Sequence, residues 1–362
     1  MRQFPKIDNF FITDNKIYIT DIEYNYIGVL DKNADFVELK CVIKYEEDRQ
    51  YGLFGDVFIY EDSIFVIPLM ASDMYKVNFE KEKIEALRIF DKGRVCADSM
   101  AIPKFMSAHI WNDSVILMPV AFPAIIEYDL KSGNEYYYDD WVETVMQTGR
   151  MEEEAFFRKT MVHSGVIYAP LCRSDKILKF FIDERRWEII TVDNNDFGYS
   201  DICFDGESFW LSPRKGNVVT RYNESSGEIC YINGIWDEDT YIAEIKYWNN
   251  KIWIVPRTQG SVGIMDSDHI IRDLGICGSH FAMRIYQNIL FISSGDDGVI
   301  YRFEDEKVTR CELKLKQDIT DYYNYYFSQI YSYFNGSTKN NLFKENQINT
   351  LQNYIRGIVS IG

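Results

Sequence analysis

Three arginines, Arg173, Arg214 and Arg257, lie just beyond three regularly placed prolines, Pro170, Pro213 and Pro256. A guanidinium presents a flat fork of donors that matches carboxylate or phosphate geometry with paired hydrogen bonds, so arginines brought together would hold an anionic group. Of the four histidines, His280 stands out because Gly275-Ile276-Cys277-Gly278-Ser279 leads into it. Imidazole titrates near neutrality and suits general acid or base work. Tyr199 is a second proton-transfer candidate, and Arg158 and Arg284 add two more cations at comparable places in the chain. Met70 and Phe122, which follow Pro68 and Pro119, would contribute an apolar side to the same site.

Sharper chemical signatures are missing. The sequence contains no HExxH, no HxH and no CxxC pair, so the metal expectation is none. Asp193-Asn194-Asn195-Asp196-Phe197-Gly198 begins like a calcium loop, but Phe197 and Phe204 stand where that loop needs oxygen ligands. Neither a glycine-rich phosphate loop nor a Gly-x-Ser-x-Gly elbow occurs, and no cofactor is expected.

These residues are carried by a repeat. Seven copies place an apolar run after a tight polar turn, from Phe11-Ile12-Thr13-Asp14-Asn15-Lys16-Ile17-Tyr18-Ile19 to Arg284-Ile285-Tyr286-Gln287-Asn288-Ile289-Leu290-Phe291-Ile292. Five copies close on proline, at 68, 119, 170, 213 and 256, a period of 43 to 51 residues. The Asn, Asp and Gly of the turns tolerate the backbone angles that two-residue hairpins need. A third strand follows each run and tends to end on Asp or Asn, as at Asp129 and Asn223, and a fourth strand follows that. Residues 207–231, with Phe209-Trp210-Leu211-Ser212-Pro213, Val218-Val219-Thr220-Arg221-Tyr222 and two turns between runs, show the unit most clearly.

The period and the four-strand unit resemble the β-propeller superfamily, over nearly nine tenths of the chain. Neither the Gly-His and Trp-Asp pairs of WD40 repeats nor the Gly-Gly doublet of kelch repeats is present. The resemblance implies an all-β fold of about seven four-stranded antiparallel blades over residues 1–315, six being the alternative if a terminal copy only completes its neighbour. It also implies that the segments after the prolines converge on one mouth of the axial opening. There Arg173, Arg214 and Arg257 would form a basic arc facing Met70 and Phe122. The first strands would line the channel, with Lys104, Ser107, His109, Arg158, Lys159, Tyr199, Asp201, Tyr241, Glu244, His280 and Arg284 near their beginnings, about half of them pointing inward. A competing reading pairs each arginine with an acid of the next blade, such as Asp201 or Asp239.

Beyond residue 315 the pattern changes. Asp318 to Phe334 is dense in aromatics, and Leu342 to Ile358 carries apolar residues at helical spacing, so a short helical and aromatic appendage is expected over 316–362. It would pack on a blade edge or meet a protein partner.

Composition bounds the function classes. The formal net charge is −17, which opposes general nucleic-acid binding. Aromatic content of 16% favours strands. No stretch approaches the length of apolar residues that spans a bilayer, and the start of the chain lacks the features of a secretory signal. Seven dispersed cysteines read as reduced, mostly buried thiols, and a cytoplasmic, membrane-free protein is expected. Two functions fit. One is a recognition module binding a peptide or small anionic ligand at the arginine-bearing mouth. The other is a metal-independent lyase, epimerase or hydrolase acting there on a carboxylate-bearing peptide or sugar.

Overall fold

The apolar runs, five of which close on proline, become the second strands of seven radial sheets. The computed structural model describes residues 4–22, 24–32, 36–43, 52–78, 83–89, 103–149, 155–193, 198–295, 297–305, 307–316, 319 and 321. Six sheets have four strands and one has five, each following chain order from the axis outward. The protein is a seven-bladed β-propeller. The first repeat copy builds its own blade from Ile7 to Val42 and the last builds another from Ala282 to Glu312, so six blades is ruled out.

Burial falls along each blade. The second strands Ser63–Pro68 and Phe209–Pro213 are buried at every residue, whereas the outer strand Lys307–Glu312 is exposed at all but one. A strand covered on both faces by neighbouring blades needs a continuous apolar run, which is why the middle of each repeat reads as one. The core is a series of slabs between blades. One joins Phe65 and Ile67 to Val115 and Leu117, and another joins Trp210 and Val219 to Ile245 and Ile252.

All five prolines are the last residues of their strands. In four of these blades pairing with the third strand stops two residues earlier, at Val66, Leu117, Leu211 and Ile254. Proline has no N–H to donate to a ladder, so the chain is released there into the mouth. At the opposite end the first and second strands meet in turns such as Asn249-Asn250 and Gln287-Asn288, all four residues having φ between 48° and 58°. The polar residues after the third strands act as turn caps. Asp129 accepts the N–H groups of Lys131 and Ser132, and Asn223 those of Ser225 and Ser226.

The ring is closed by a clip. Lys314–Leu315 adds as a fifth, parallel strand on the outer edge of the first blade, opposite Phe36 and Val37. Leu313 and Ile319, on either side, are buried with that blade's core. The expected appendage lies outside the described residues except for Lys316, Ile319 and Asp321. Between the third and fourth blades the described chain contains a single helical turn, Val142–Met146.

Candidate axial site

Five of the seven innermost strands, those beginning at Ile7, Phe54, Phe105, Tyr199 and Ile242, slip register by one residue near their start. Immediately after each slip stands a polar residue: Asn9, Asp56, Ser107, Asp201 and Glu244. A bulge re-aims side chains, and here it aims five polar groups at the next blade. Asn9 Nδ2 donates to the Gly55 carbonyl (3.1 Å), and Asp56 Oδ2 accepts from Ala108 N–H (3.3 Å). Ser107 Oγ accepts from Thr160 N–H (3.1 Å), and Asp201 Oδ2 accepts from Ile245 N–H (2.9 Å). Glu244 Oε2 accepts from Met283 N–H (3.1 Å), and Arg284 Nη2 donates to Asn9 Oδ1, joining the last blade to the first.

Charges complete this belt. Arg284 pairs with Asp56 (3.2 Å) and Glu244 (3.5 Å), Lys159 reaches Glu244 (3.5 Å), and Lys246 reaches Asp201 (3.4 Å). Three carboxylates face three cations, so the belt is a nearly neutral polar layer. Burial acts to raise the Glu244 carboxyl, but Lys159, Arg284 and Lys246 outweigh it and hold the group at about 2. Asp201, fully buried, is pushed upward by desolvation against the pull of Lys246. His109 hydrogen-bonds Thr160 Oγ1 through Nε2 (2.6 Å), and burial lowers its imidazole to about 4.

Above the belt, the N–H of the segment entering each blade repeatedly meets the carbonyl of the residue just after the preceding proline. The pairs are Lys104 with Leu69, Phe156 with Val120, Tyr199 with Leu171 and His280 with Arg257. Four of the residues after the five prolines share this bond, Arg214 matches Arg257 in returning its N–H to the segment entering its own blade, and the five run Leu69, Val120, Leu171, Arg214, Arg257 around the mouth. An apolar arc thus passes into a basic one.

The arcs are composed differently from expectation. Arg257 and Arg214 do occupy equivalent places, but Arg173 comes two residues later and is only 4% exposed. Its carbonyl lies under Gly149, where an added Cβ would come within 1.9 Å of it, so Arg173 sits beneath the 142–149 segment. Arg214 stacks its guanidinium on Tyr241 (4.7 Å), and the neighbouring Lys215 pairs with Asp239 (2.7 Å). Phe122 is buried against Phe105 in the slab between the second and third blades. The apolar arc at the mouth is instead a small cluster of Val120, Ala155 and Cys172 flanked by Leu69 and Met106. Met70 is half-buried, its N–H directed to the Gly52 and Leu53 carbonyls. Arg158 is half-buried at the entrance of the fourth blade, where its carbonyl accepts from Ser107 Oγ. Arg284 belongs to the belt below. Tyr199 is 1% exposed, bonded to Thr220 and raised by burial to about 12, so it lies in a slab between blades rather than at the mouth.

His280 is brought to the mouth. Its backbone is left-handed (φ 51°), its Nδ1 meets Ser279 Oγ (2.9 Å), and Gly295 is wedged between it and the first blade. A Cβ on Gly295 would lie 2.6 Å from His280 Cβ and 3.0 Å from the Ile7 carbonyl. The next residue of that blade, Asp8, is the bulged residue of its strand and is within electrostatic reach of Arg257, Lys159 and His280. Burial raises the Asp8 carboxyl despite these three neighbours. Left-handed non-glycine residues concentrate at ligand sites, where surrounding structure holds them. Asp8 went unnoticed in the sequence because the first repeat copy becomes recognisable only at Phe11. The signal was the polar pair Asp8-Asn9 three residues ahead of it.

Fold and site together define a seven-bladed propeller with a polar belt across its axis and a basic, histidine-bearing mouth above. No family model and no curated protein sequence matches the chain. Among solved structures it is similar to a streptogramin B lyase, at 14% identity and a TM-score of 0.59, covering 85% of this chain and 96% of that one. It is similar also to a catalytically inactive histidine-to-alanine variant of virginiamycin B lyase from Staphylococcus aureus, with quinupristin (11% identity, TM-score 0.57, 80% and 91% covered). PorZ, a surface component of the type-IX secretion system of Porphyromonas gingivalis, is similar at 10% identity and a TM-score of 0.57, covering 86% of this chain and 39% of that one. At such identities the likeness is one of fold.

Proposed function

We propose that the axial mouth binds a small anionic ligand or the anionic end of a peptide, with Arg257 as its principal partner and Lys159 assisting. What supports this reading is that Arg257, Lys159 and His280, from three different parts of the ring, are all within electrostatic reach of Asp8, in a chain whose net charge is −17. A local cluster of cations at a concave opening attracts an anion that the overall field repels. The apolar cluster of Val120, Ala155 and Cys172 across the mouth would receive the ligand's uncharged part. Cys41, Cys172, Cys203, Cys230, Cys277 and Cys311 are free thiols, which fits a reducing, cytoplasmic setting.

Thermal stabilisation by a panel of carboxylates and phosphates tests the reading. A ligand present at a hundred times its Kd stabilises by about 2.7 kcal/mol, and Arg257→Ala should abolish that gain in a protein that still folds. Full stabilisation of the variant would remove Arg257 from the site.

A second reading is favoured by one observation. A carboxyl raised by burial beside a histidine forms an acid and base pair of the kind that moves protons between carbon and oxygen. In that reading the protein is a metal-independent lyase, epimerase or hydrolase on the same ligand. The histidine whose loss inactivates the S. aureus lyase is a parallel in kind. Turnover lost in His280→Ala, with binding retained, would decide for catalysis; binding without turnover in the native protein would decide for recognition.

A further inference from the structure

We infer that the axial opening at the end opposite the mouth is a second binding surface, which takes a basic peptide segment of a partner protein and seats an apolar side chain of that segment against Ile110 and Ile285. It stands apart from the mouth and does not depend on the anion reading above.

The innermost strands border the axis, so a side chain there that stays open to water faces the axial channel or its rim. Ile110 and Ile285, on the innermost strands of the third and seventh blades, are 42% and 44% exposed. Each stands one residue before the end of its strand, Ile110 opposite Val115 and Ile285 opposite Leu290. Register puts Ile59, Phe204 and Tyr247 at the same level, because like Ile110 each pairs with the residue four places before the proline of its second strand. These three are half-buried. The residues just before, His109, Lys246 and Arg284, reach into the belt, so an apolar level lies directly beneath that polar layer. Large aliphatic side chains left in water at the centre of a concave surface are what a partner's apolar anchor covers.

Charge selects the partner. The turns between first and second strands, which rim this opening, carry Asp14, Glu61, Asp62, Asp113, Asp205 and Glu207 and no lysine, arginine or histidine. Turn chemistry accounts for Asp205, which accepts the N–H groups of Glu207 and Ser208 (2.8 and 2.7 Å). It does not account for Glu61, whose left-handed backbone (φ 51°) matches places where other blades have Asn112 and Asn249. Asp113 and Glu207 are offset by Lys131 (2.7 Å) and Arg221 (3.6 Å). Asp14 is held by Tyr286 and Gln287 (2.6 and 2.7 Å), neutral donors that fix the carboxylate and leave its charge, while Glu61 and Asp62 are exposed. These three acids lie on the first and second blades, the two that separate Ile285 from Ile110 by the shorter way round the ring. Acids and exposed aliphatics therefore share one sector of the rim. Among the described residues no three His, Cys, Asp or Glu side chains gather as a metal site would need, so the acids are spaced for a chain bearing several cations.

Fluorescence anisotropy with three pools of short labelled peptides tests this directly. The first pool has lysine and arginine around a central leucine, isoleucine or phenylalanine, the second has serine at that centre, and the third keeps the apolar centres but surrounds them with glutamate. The native protein should bind the first pool about 10-fold or more tightly than either of the others, since a buried anchor carries most of an interface's affinity. Ile110→Ser combined with Ile285→Ser should erase the advantage of the first pool over the second. Glu61→Lys combined with Asp62→Lys, on an exposed turn where folding is least at risk, should weaken the first pool and flatten its dependence on salt. Thermal melts confirm that both variants fold. Equal binding of the glutamate pool, failure of all three pools, or unchanged binding of the first pool by either folded variant would overturn the inference. None of these outcomes touches the anion reading, which Arg257→Ala judges separately.

Discussion

Glu244 is the residue on which the axial charges balance. It is 2% exposed and takes an N–H from Met283 while facing Lys159 and Arg284. Removing one member of a buried charge network leaves the others uncompensated, which costs about 3–5 kcal/mol. Glu244→Gln should lower stability in urea by that order. Loss of less than about 1 kcal/mol would mean that the network contributes little. Acid probes the same residue with the sign fixed by its folded value of about 2 against an ordinary 4.5. The stabilisation is complete above 4.5, declines as pH falls and is gone below 2. His109 acts in a separate window. Its folded value of about 4 lies below the ordinary 6.5, so between 6.5 and 4 the unfolded chain gains a proton that the folded one refuses, and stability falls with pH. The groups facing it are Asp56, Lys159, Lys246 and Thr160. His109→Gln should flatten the decline of the urea midpoint between pH 6.5 and 4, and an unchanged slope would assign it elsewhere. Individual roles of this kind were only partly legible in the sequence. The place of Arg257 and His280 near the mouth was legible because each follows a structural marker, a proline or a glycine-rich approach. Phe122 was misplaced because an aromatic after a proline reads the same whether it faces the opening or the slab.

At the scale of strands, the repeat was legible nearly to the residue because its signals are local: turn pairs, apolar runs and terminal prolines. What the pattern could not carry was the bulge near the start of the inner strands. A bulge leaves no compositional mark, yet it decides that Asn9, Asp56, Ser107, Asp201 and Glu244 turn toward the next blade. Blade contact at this level is so close that backbone meets backbone. A Cβ on Gly198 would stand 1.9 Å from the Cys172 carbonyl, and one on Gly55 would stand 1.8 Å from that of Phe105. Neither obstacle is a flexible side chain. Gly198→Ala should therefore force the fourth and fifth blades apart and destabilise by about 1–3 kcal/mol, the usual range for overpacking. Its fold is checked by a thermal melt, and a melting temperature equal to that of the native protein would show that the blades can separate without cost.

Across the whole molecule, closure is a problem of chain ends. The first blade comes from the start of the described chain and the seventh from near its end, and among the described residues only the two-residue strand Lys314–Leu315 crosses from one to the other. Besides the apolar slab that joins Ile7 and Phe10 to Ala282 and Phe291, the ends are held by the parallel clip of Lys314–Leu315 on the first blade, the packing of Gly298 against Phe4 and Pro5, and Arg284. Arg284 is unusual in touching four blades, since it lies on the seventh and reaches Asn9, Asp56 and Glu244 on the first, second and sixth. The sequence offered it as a ligand-binding arginine, and its place as a closing tie became visible only when residues more than two hundred apart were brought together. Replacing it with methionine keeps much of the length and apolar stem while removing the charge. Arg284→Met should then raise hydrogen exchange selectively in the inner strands Ile7–Ile12 and Ala282–Tyr286, leaving Phe105–Trp111 protected, because local opening follows the weakest seam. A uniform rise in all seven blades would mean instead that the ring opens only by global unfolding, and that the belt acts as one cooperative layer with no seam between its ends.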